Sequence, residues 1–142
     1  MTPSSSNGSG PETILVVEDA THVRKLVQKI LEDADFEVLT AAGGAEAVQL
    51  AAEYPRKIDL LLTDVLMPEI SGPELAKKLK ELRPEMKIML MSGYADGMLI
   101  LNYGWYFVQK PFIPAALVGR VKDILKSSRL ADQGTDHFDT RL

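Results

Sequence analysis

The sequence predicts an α/β fold, in which a parallel sheet carries helices on both faces. Short apolar runs of strand length alternate along the chain with longer segments whose apolar residues recur at helical spacing. The runs are bounded by polar or turn residues, which is typical of parallel strands buried on both faces. Five successive strand–helix units imply right-handed crossovers and a three-layer sandwich.

The first strand–helix unit begins with an apolar run at residues 14–17. Apolar residues then recur at the i, i+3, i+4, i+7 spacing, which predicts a helix with one buried face. That face comprises Val23, Leu26, Val27, Ile30 and Leu31. A second, short strand is predicted at Glu37–Ala41, and it ends at Gly43 and Gly44.

The second helix is predicted at residues 45–53, which are rich in alanine. It ends before Pro55, because the residue that precedes a proline disfavours the helical conformation. Its predicted inward residues are Val48, Ala51 and Ala52. The third strand is predicted at residues 58–63, and a loop with proline and glycine follows it.

The third helix begins with a capping box, in which Ser71 is the N-cap and Glu74 lies three residues later. Pro73 falls in the first turn, where its missing N–H leaves no partner unsatisfied. Pro84 ends the helix. The predicted buried stripe comprises Leu75, Leu79 and Leu82.

The last two strands are predicted at residues 87–91 and 106–109, with an ambiguous segment at residues 98–102 between them. A final helix is predicted at residues 114–128. Its inward residues are Leu117, Val121, Ile124 and Leu125.

Composition excludes several classes of protein. The 142 residues suit one domain, predicted at residues 13–129, with disordered tails or linkers at 1–12 and 130–142. The net charge is -4 and no basic stripe stands out, so no nucleic-acid binding is predicted. No apolar stretch approaches the ~20 residues of a membrane span. The absence of cysteine excludes disulfides and fits a cytoplasmic protein.

Four of the predicted strands lead into residues with chemically active side chains. Glu18 and Asp19 follow the first strand, Asp64 the third, Ser92 the fourth and Lys110 the fifth. In an open α/β sheet, ligands bind beyond the carboxyl ends of the strands. These side chains are therefore expected to share one rim of the sheet.

Three neighbouring carboxylates repel one another, so either some are protonated or a cation lies among them. Mg2+ accepts oxygen ligands and tolerates a site of few protein ligands and water. Beside such a site, Lys110 could hold a phosphoryl oxygen. Simpler interpretations stay open: the first two acids could favour the following helix N-terminus, Asp64 and Ser92 could be turn residues, and Lys110 could lie on the surface.

Four strings of residues carry a resemblance to a known family. In chain order they are ILVVEDA, LLLTDVLMPEISGPELA, LMSGYAD and FVQKPF, and they span nearly all of residues 14–125. Their order and spacing resemble the receiver domain of two-component response regulators, especially receivers fused to hybrid sensor histidine kinases. The resemblance implies a flavodoxin-like (βα)5 fold with strand order 2-1-3-4-5.

The resemblance implies roles for the acidic residues. By this likeness Asp64 is the phosphoacceptor. Glu18 and Asp19 bind Mg2+, together with Asp64 and the backbone carbonyl of Leu66.

It also implies a phosphoryl-binding lysine and a conformational switch. Lys110 is expected to pair with the phosphoryl group and to form a cis peptide bond with Pro111. Ser92 is expected to be the switch hydroxyl and Phe107 the switch aromatic.

The expected function is phosphorylation-dependent signalling. The implied phosphoryl donor is a sensor histidine kinase or a histidine phosphotransfer protein, and activation can bring about homodimerisation. The domain is not expected to be an enzyme beyond catalysing its own phosphorylation and slow dephosphorylation. No direct nucleic-acid or membrane partner is expected.

One stretch departs from the family pattern. Residues 92–110 are fewer than in typical members by about one helical turn, ~4 residues. The stretch also holds Gly97, Asn102, Gly104 and an aromatic run at residues 103–107. The fourth helix is therefore predicted to be shortened or irregular.

Two other classes of protein remain as alternatives. A flavodoxin-like redox module shares the architecture, although Glu18 and Asp19 would repel the phosphate of FMN. A hydrolase of the haloacid dehalogenase type also uses an aspartate and Mg2+, but it needs a second acid where this chain has Leu66. Rossmann and P-loop glycine motifs are absent from the sequence.

Overall fold

The computed structural model describes residues 10–93 and 105–131, with side chains through residue 126. The strands in these ranges are β1 (Thr13–Val17), β2 (Glu37–Ala41), β3 (Leu60–Asp64), β4 (Lys87–Ser92) and β5 (Tyr106–Gln109). The helices are α1 (Thr21–Asp33), α2 (Gly44–Glu53), α3 (Gly72–Leu82) and α4 (Pro114–Ala131).

The five strands form one sheet in the order β2-β1-β3-β4-β5, and all neighbouring pairs are parallel. This confirms the predicted strand order. The register aligns Leu15 with Leu61 and Asp64 with Met91, so the carboxyl ends of β1, β3 and β4 lie at one edge. β5 extends that edge, because Ser92 is in register with Gln109.

Alternating residues of each strand face opposite sides of the sheet. Leu15 and Val17 pack in the cluster that includes α2 and α3, whereas Ile14 and Val16 pack in the cluster with α1 and α4. All four residues are fully buried. Apolar side chains on both faces explain the uniformly apolar strands, and the predicted three-layer sandwich is confirmed.

The helices bury narrower stripes than the sequence predicts. Val27 and Leu31 are the buried residues of α1, and the buried direction is centred between them. Leu26, about 100° around the helix from Val27, is therefore 53% exposed, and its predicted inward position is wrong.

In α2 and α3, too, a residue predicted to face inward lies outside the buried stripe. Ala47 and Ala51 are buried in α2, whereas Ala52 is exposed, contrary to the prediction. Leu82, the last residue of α3, is 46% exposed, because the packed stripe ends one turn earlier at Leu79.

Arg83 joins α3 to the end of α2. Its guanidinium donates hydrogen bonds to three backbone oxygens, of Ala51 (2.8 Å), Tyr54 (2.6 Å) and Arg56 (2.7 Å). Carbonyls at a helix C-terminus have no partner within the helix, and a cation is favoured there. Arg83 therefore caps α2 from a neighbouring element.

Several predictions concern the ends of elements. α4 continues to Ala131, three residues beyond the predicted end of the last helix. The predicted shortened fourth helix falls on residues 94–104, and most of the predicted tails fall on residues 1–9 and 132–142, all outside the described residues. Within the described residues, no helix has the length and apolar character needed to cross a membrane.

Candidate functional site

Three carboxylates meet where β1 and β3 end. One oxygen from each of Glu18, Asp19 and Asp64 can be chosen so that all three lie within 4.8 Å of one another. Glu18 is 1% exposed and Asp64 is 9% exposed, whereas Asp19 is open to solvent. The cluster therefore has a buried wall and one accessible side.

Glu18 is held at both its backbone and its side chain. Its N–H donates to the backbone oxygen of Ala41 (3.1 Å), which extends the pairing of β1 with β2. Its carbonyl accepts from Nη1 of Arg24 (2.8 Å), and its Oε2 accepts from the N–H of Ala20 (3.1 Å). These contacts fix the backbone of the turn from β1 into α1 and the side chain of Glu18.

Lys110 brings a positive charge to the cluster. Its Nζ lies 3.0 Å from Oε1 of Glu18 and 3.3 Å from Oδ1 of Asp64. Its backbone N–H donates to the carbonyl of Ser92 (2.8 Å), which ties the end of β5 to the end of β4. The Lys110–Pro111 peptide bond is cis, as the family resemblance implies.

The electrostatics of the site favour a bound cation. Burial raises the pKa of Asp64, and the charges of Glu18 and Asp19 raise it further, while Lys110 opposes them. Burial alone would lower the pKa of Lys110, but its hydrogen bonds and ion pairs with Glu18 and Asp64 raise it above the usual value. One ammonium thus faces three carboxylates, and a negative excess remains.

The donor set fits Mg2+. Carboxylate oxygens are the ligands that this hard cation prefers, and it commonly keeps several waters. Glu18, Asp19 and Asp64 supply such oxygens from two adjacent strands, and the exposed side of Asp19 leaves room for water. A cation would also relieve the repulsion that raises the pKa of Asp64.

Asp64 is fixed through one of its two oxygens. Oδ1 accepts a hydrogen bond from the N–H of Val65 (3.1 Å) as well as the contact from Lys110. Val65 also accepts from the N–H of Gly72 (2.8 Å), and a Cβ on Gly72 would collide with the backbone oxygen of Asp64. Glycine at the start of α3 therefore allows the loop after β3 to close tightly below the site.

The other predicted site residues lie at different distances from the cluster. Ser92 is buried at the end of β4, one residue beyond Met91, the register partner of Asp64. Leu66 lies in the loop after β3 and its side chain is 57% exposed. Phe107 is half-buried within β5 and packs against the α2–α3 side of the core, apart from the polar cluster.

Sequence reasoning missed Arg24. The available indication was a basic residue in the first turn of a helix, where the helix dipole disfavours a cation. In the structure this helix has no acidic residue in its first turn, and its N-cap, Ala20, makes no side-chain capping bond. Arg24 instead contacts the backbone of an acidic residue.

Residues 14–122 match the family model described as the response regulator receiver domain. The chain belongs to this family. It is a receiver domain of the kind found in two-component signalling, and the family match decides against the flavodoxin-like and haloacid dehalogenase-like alternatives.

Individual relatives agree with the assignment. The receiver domain is 34% identical over 122 residues to the sensor kinase CckA of Brucella abortus, a match that covers 83% of this chain. It is 40% identical to the solved receiver domain of the hybrid histidine kinase CckA, with a TM-score of 0.70 and coverage of 80% of this chain and 98% of the other.

A second solved structure also superposes on this receiver domain. A CheY-like receiver protein of Methanospirillum hungatei superposes with a TM-score of 0.76 at 31% identity, covering 84% of this chain and 98% of the other. The matched region spans only 13% of the length of the Brucella kinase. The family thus establishes a signalling module, and the activity of any larger protein is a separate matter.

Proposed function

We propose that this receiver domain accepts a phosphoryl group on Asp64 in a Mg2+-dependent reaction. The observation that carries the proposal is the position of Asp64: its carboxylate lies within 4.8 Å of two other acidic oxygens and 3.3 Å from the ammonium of Lys110. A nucleophile between a cation-binding cluster and a fixed positive charge suits phosphoryl transfer, which depends mainly on positioning and charge neutralisation.

The metal would be held by Glu18, Asp19 and Asp64, with the backbone carbonyl of Leu66 as a further ligand. When bound, Mg2+ neutralises charge on the phosphoryl oxygens. Lys110 donates to another of these oxygens and keeps the group oriented. Lys110 is protonated near neutral pH even at the usual lysine pKa, and its contacts with Glu18 and Asp64 raise that pKa further.

The transfer itself exchanges one bond for another. An oxygen of Asp64 forms a bond to phosphorus while the bond from phosphorus to the donor's imidazole nitrogen breaks. The electron pair of that bond remains on the nitrogen, and with a proton on the other ring nitrogen of the phosphohistidine the partner leaves as a neutral histidine. The product on the receiver domain is an acyl phosphate, which water later hydrolyses.

Two further residues would report the phosphorylated state. Ser92 lies at the same rim, where its hydroxyl could donate to a phosphoryl oxygen and draw the following loop inward. Phe107 lies in the edge strand β5 and is only half-buried, so its ring could become more deeply buried after phosphorylation. A local charge change would then be transmitted by a packed element with two states.

The partners in this proposal are a sensor histidine kinase or a histidine phosphotransfer protein. The relatives support it, because they include a sensor kinase and the receiver domain of a hybrid histidine kinase. The reaction would take place in the cytoplasm, and a second receiver copy would be a partner after activation.

Incubation with acetyl phosphate and Mg2+, followed by intact-protein mass spectrometry, tests the proposal. The wild type should gain one phosphoryl group, and Asp64→Asn should gain none. Asp59→Asn is the matched control, because Asp59 directly precedes β3, at the opposite end of that strand, and accepts from the N–H of Thr13 (2.8 Å). Equal labelling of wild type and Asp64→Asn would refute the assignment.

A further inference from the structure

We propose that Arg24 is a positioning residue for the acidic pair, and that it sets the affinity of the receiver domain for Mg2+. The inference rests on the proposed function, since it assumes that the acidic cluster binds the metal. It concerns a residue that contacts neither the metal nor the phosphoryl group: Arg24 acts through the backbone of Glu18.

The contact is a short one, 2.8 Å from Nη1 of Arg24 to the carbonyl oxygen of Glu18. This carbonyl belongs to the peptide unit between Glu18 and Asp19, so its orientation fixes where the backbone directs both side chains. The N–H of Arg24 also donates to the carbonyl of Ala20 (2.9 Å). This second bond is an ordinary backbone bond of α1 that alanine or lysine would also make, so the contribution particular to Arg24 is the contact of its guanidinium with Glu18.

The other restraints on this turn leave Asp19 dependent on Arg24. Glu18 is held by Ala41 through its N–H and by Lys110 and Ala20 through its carboxylate. Asp19 is exposed, so packing does not hold its carboxylate in place. Among the hydrogen bonds of the described residues, the one from the guanidinium of Arg24 acts directly on the peptide unit that leads into Asp19.

The first turn of α1, where Arg24 lies, is an unfavourable place for a positively charged side chain. Arg24 is the fourth residue of α1, where the helix dipole repels positive charge, and no acidic side chain of the first turn compensates. A neutral residue would suit the helix better. The hydrogen bond to the carbonyl of Glu18 is the contact that offsets this placement.

Charge and positioning predict opposite effects on metal binding. The positive charge of Arg24 repels Mg2+, so removing a charge alone would tighten binding. If Arg24 instead positions the ligands, its removal weakens binding. Loss of a group that orients metal ligands weakens metal affinity by about 10- to 100-fold.

The test compares Arg24→Ala, Arg24→Lys and Lys25→Ala with the wild type. Lys25 is the exposed neighbour of Arg24 in α1, and its removal changes the net charge equally. Each protein is unfolded with urea at increasing Mg2+ concentrations and constant ionic strength. A ligand that binds only the folded state adds RT ln(1 + [L]/Kd) to the free energy of unfolding, so the rise in midpoint with Mg2+ concentration, relative to each variant's own metal-free midpoint, gives its Kd.

Arg24→Ala should bind Mg2+ about tenfold more weakly than wild type. Arg24→Lys, which keeps the charge and a donor, should fall between them, and Lys25→Ala should bind as wild type or slightly tighter. Equal or tighter binding by Arg24→Ala would overturn the inference, even if its metal-free stability falls.

If Arg24→Ala does not fold, the Arg24→Lys variant decides the matter. Wild-type affinity for Mg2+ in that variant would overturn the inference, and weaker affinity would support it. If the wild type itself showed no stabilisation by Mg2+, the proposed function would fail, and this inference with it.

Discussion

Lys110 makes its shorter side-chain contact with Glu18, at 3.0 Å, although it also lies near Asp64. The two residues come from opposite parts of the chain, and the sheet brings them together across two intervening strands. In the proposed function Glu18 therefore has two tasks. It contributes to the metal site, and it keeps the lysine oriented before any phosphoryl group arrives.

The first prediction concerns the pKa of Asp64 in metal-free buffer. Burial is the largest cause of its elevation and the charge of Glu18 is the next, whereas Lys110 lowers it. Glu18→Gln should therefore lower the pKa of Asp64, and Lys110→Met should raise it further. A pH titration followed by NMR of the 13C-labelled carboxyl groups measures both shifts. Shifts of the same sign in the two variants would contradict this account.

The second prediction links that pKa to stability. The pKa of Asp64 is raised in the folded chain, so its ionised form is less favourable there than in the unfolded chain. This penalty is absent below the usual carboxyl pKa of 3.8, develops as pH rises, and is complete above the raised value. Asp64→Asn removes the penalty.

In metal-free buffer near neutral pH, Asp64→Asn should therefore unfold at a higher urea concentration than the wild type. The difference should vanish in strongly acidic buffer, where both side chains are neutral. Asp59→Asn serves as the control: it weakens a hydrogen bond to Thr13 and should lose about 1 kcal/mol. A variant Asp64→Asn that is less stable than wild type near neutral pH would disprove the argument.

The sequence was most informative about the strands and the rim. Fully buried parallel strands have a characteristic composition, and the polar residues that follow four of the five predicted strands are conspicuous. Glu18 and Asp64 could be assigned to one edge because the topology leaves little choice once β1 and β3 are recognised. The pairing of Lys110 with Glu18 could not be predicted, since it depends on side-chain conformations where the ends of β1, β3 and β5 meet.

Helix faces were harder to predict, and long-range capping was not predicted at all. Leu26 and Leu82 fit the helical period but lie outside the stripe that contacts the sheet, because the period does not give the rotation of the helix. Arg83 was not singled out, since its three acceptors lie 27 to 32 residues away in the chain. Arg24 was missed because its partner is a backbone oxygen, which leaves no trace in the pattern of side chains.

The third prediction concerns Arg83. Arg83→Ala leaves three carbonyls near the end of α2 without their side-chain donor and should lower the free energy of unfolding by about 2 kcal/mol. Arg83→Lys keeps the charge but offers one donor group instead of a planar fork, so it should recover only part of the loss. Urea unfolding measures both.

The same variants should leave Mg2+ affinity unchanged. Arg83 contacts the chain beyond α2, while the acidic cluster lies at the carboxyl ends of β1 and β3. A loss of Mg2+ affinity in Arg83→Ala would mean that the two regions are coupled, and would contradict the local role assigned to this residue.

The last prediction compares two glycines, Gly72 and Gly119. A Cβ at Gly72 would collide with the backbone oxygen of Asp64, whereas a Cβ at Gly119 in α4 would meet nothing within 4 Å. Gly72→Ala should therefore lose about 1–3 kcal/mol through overpacking. Gly119→Ala should gain about 0.5–1 kcal/mol, because alanine loses less backbone entropy in a helix.

The two substitutions should also differ in the rate at which acetyl phosphate labels the protein. Gly72→Ala must displace the loop after β3, which carries the proposed carbonyl ligand, so labelling by acetyl phosphate should slow together with the loss of stability. Gly119→Ala should label at the wild-type rate, because Gly119 is exposed in α4, two residues after the buried Leu117. Rates are measured by intact-protein mass spectrometry over time. Wild-type labelling by Gly72→Ala would mean that the close approach of α3 to Asp64 serves packing alone.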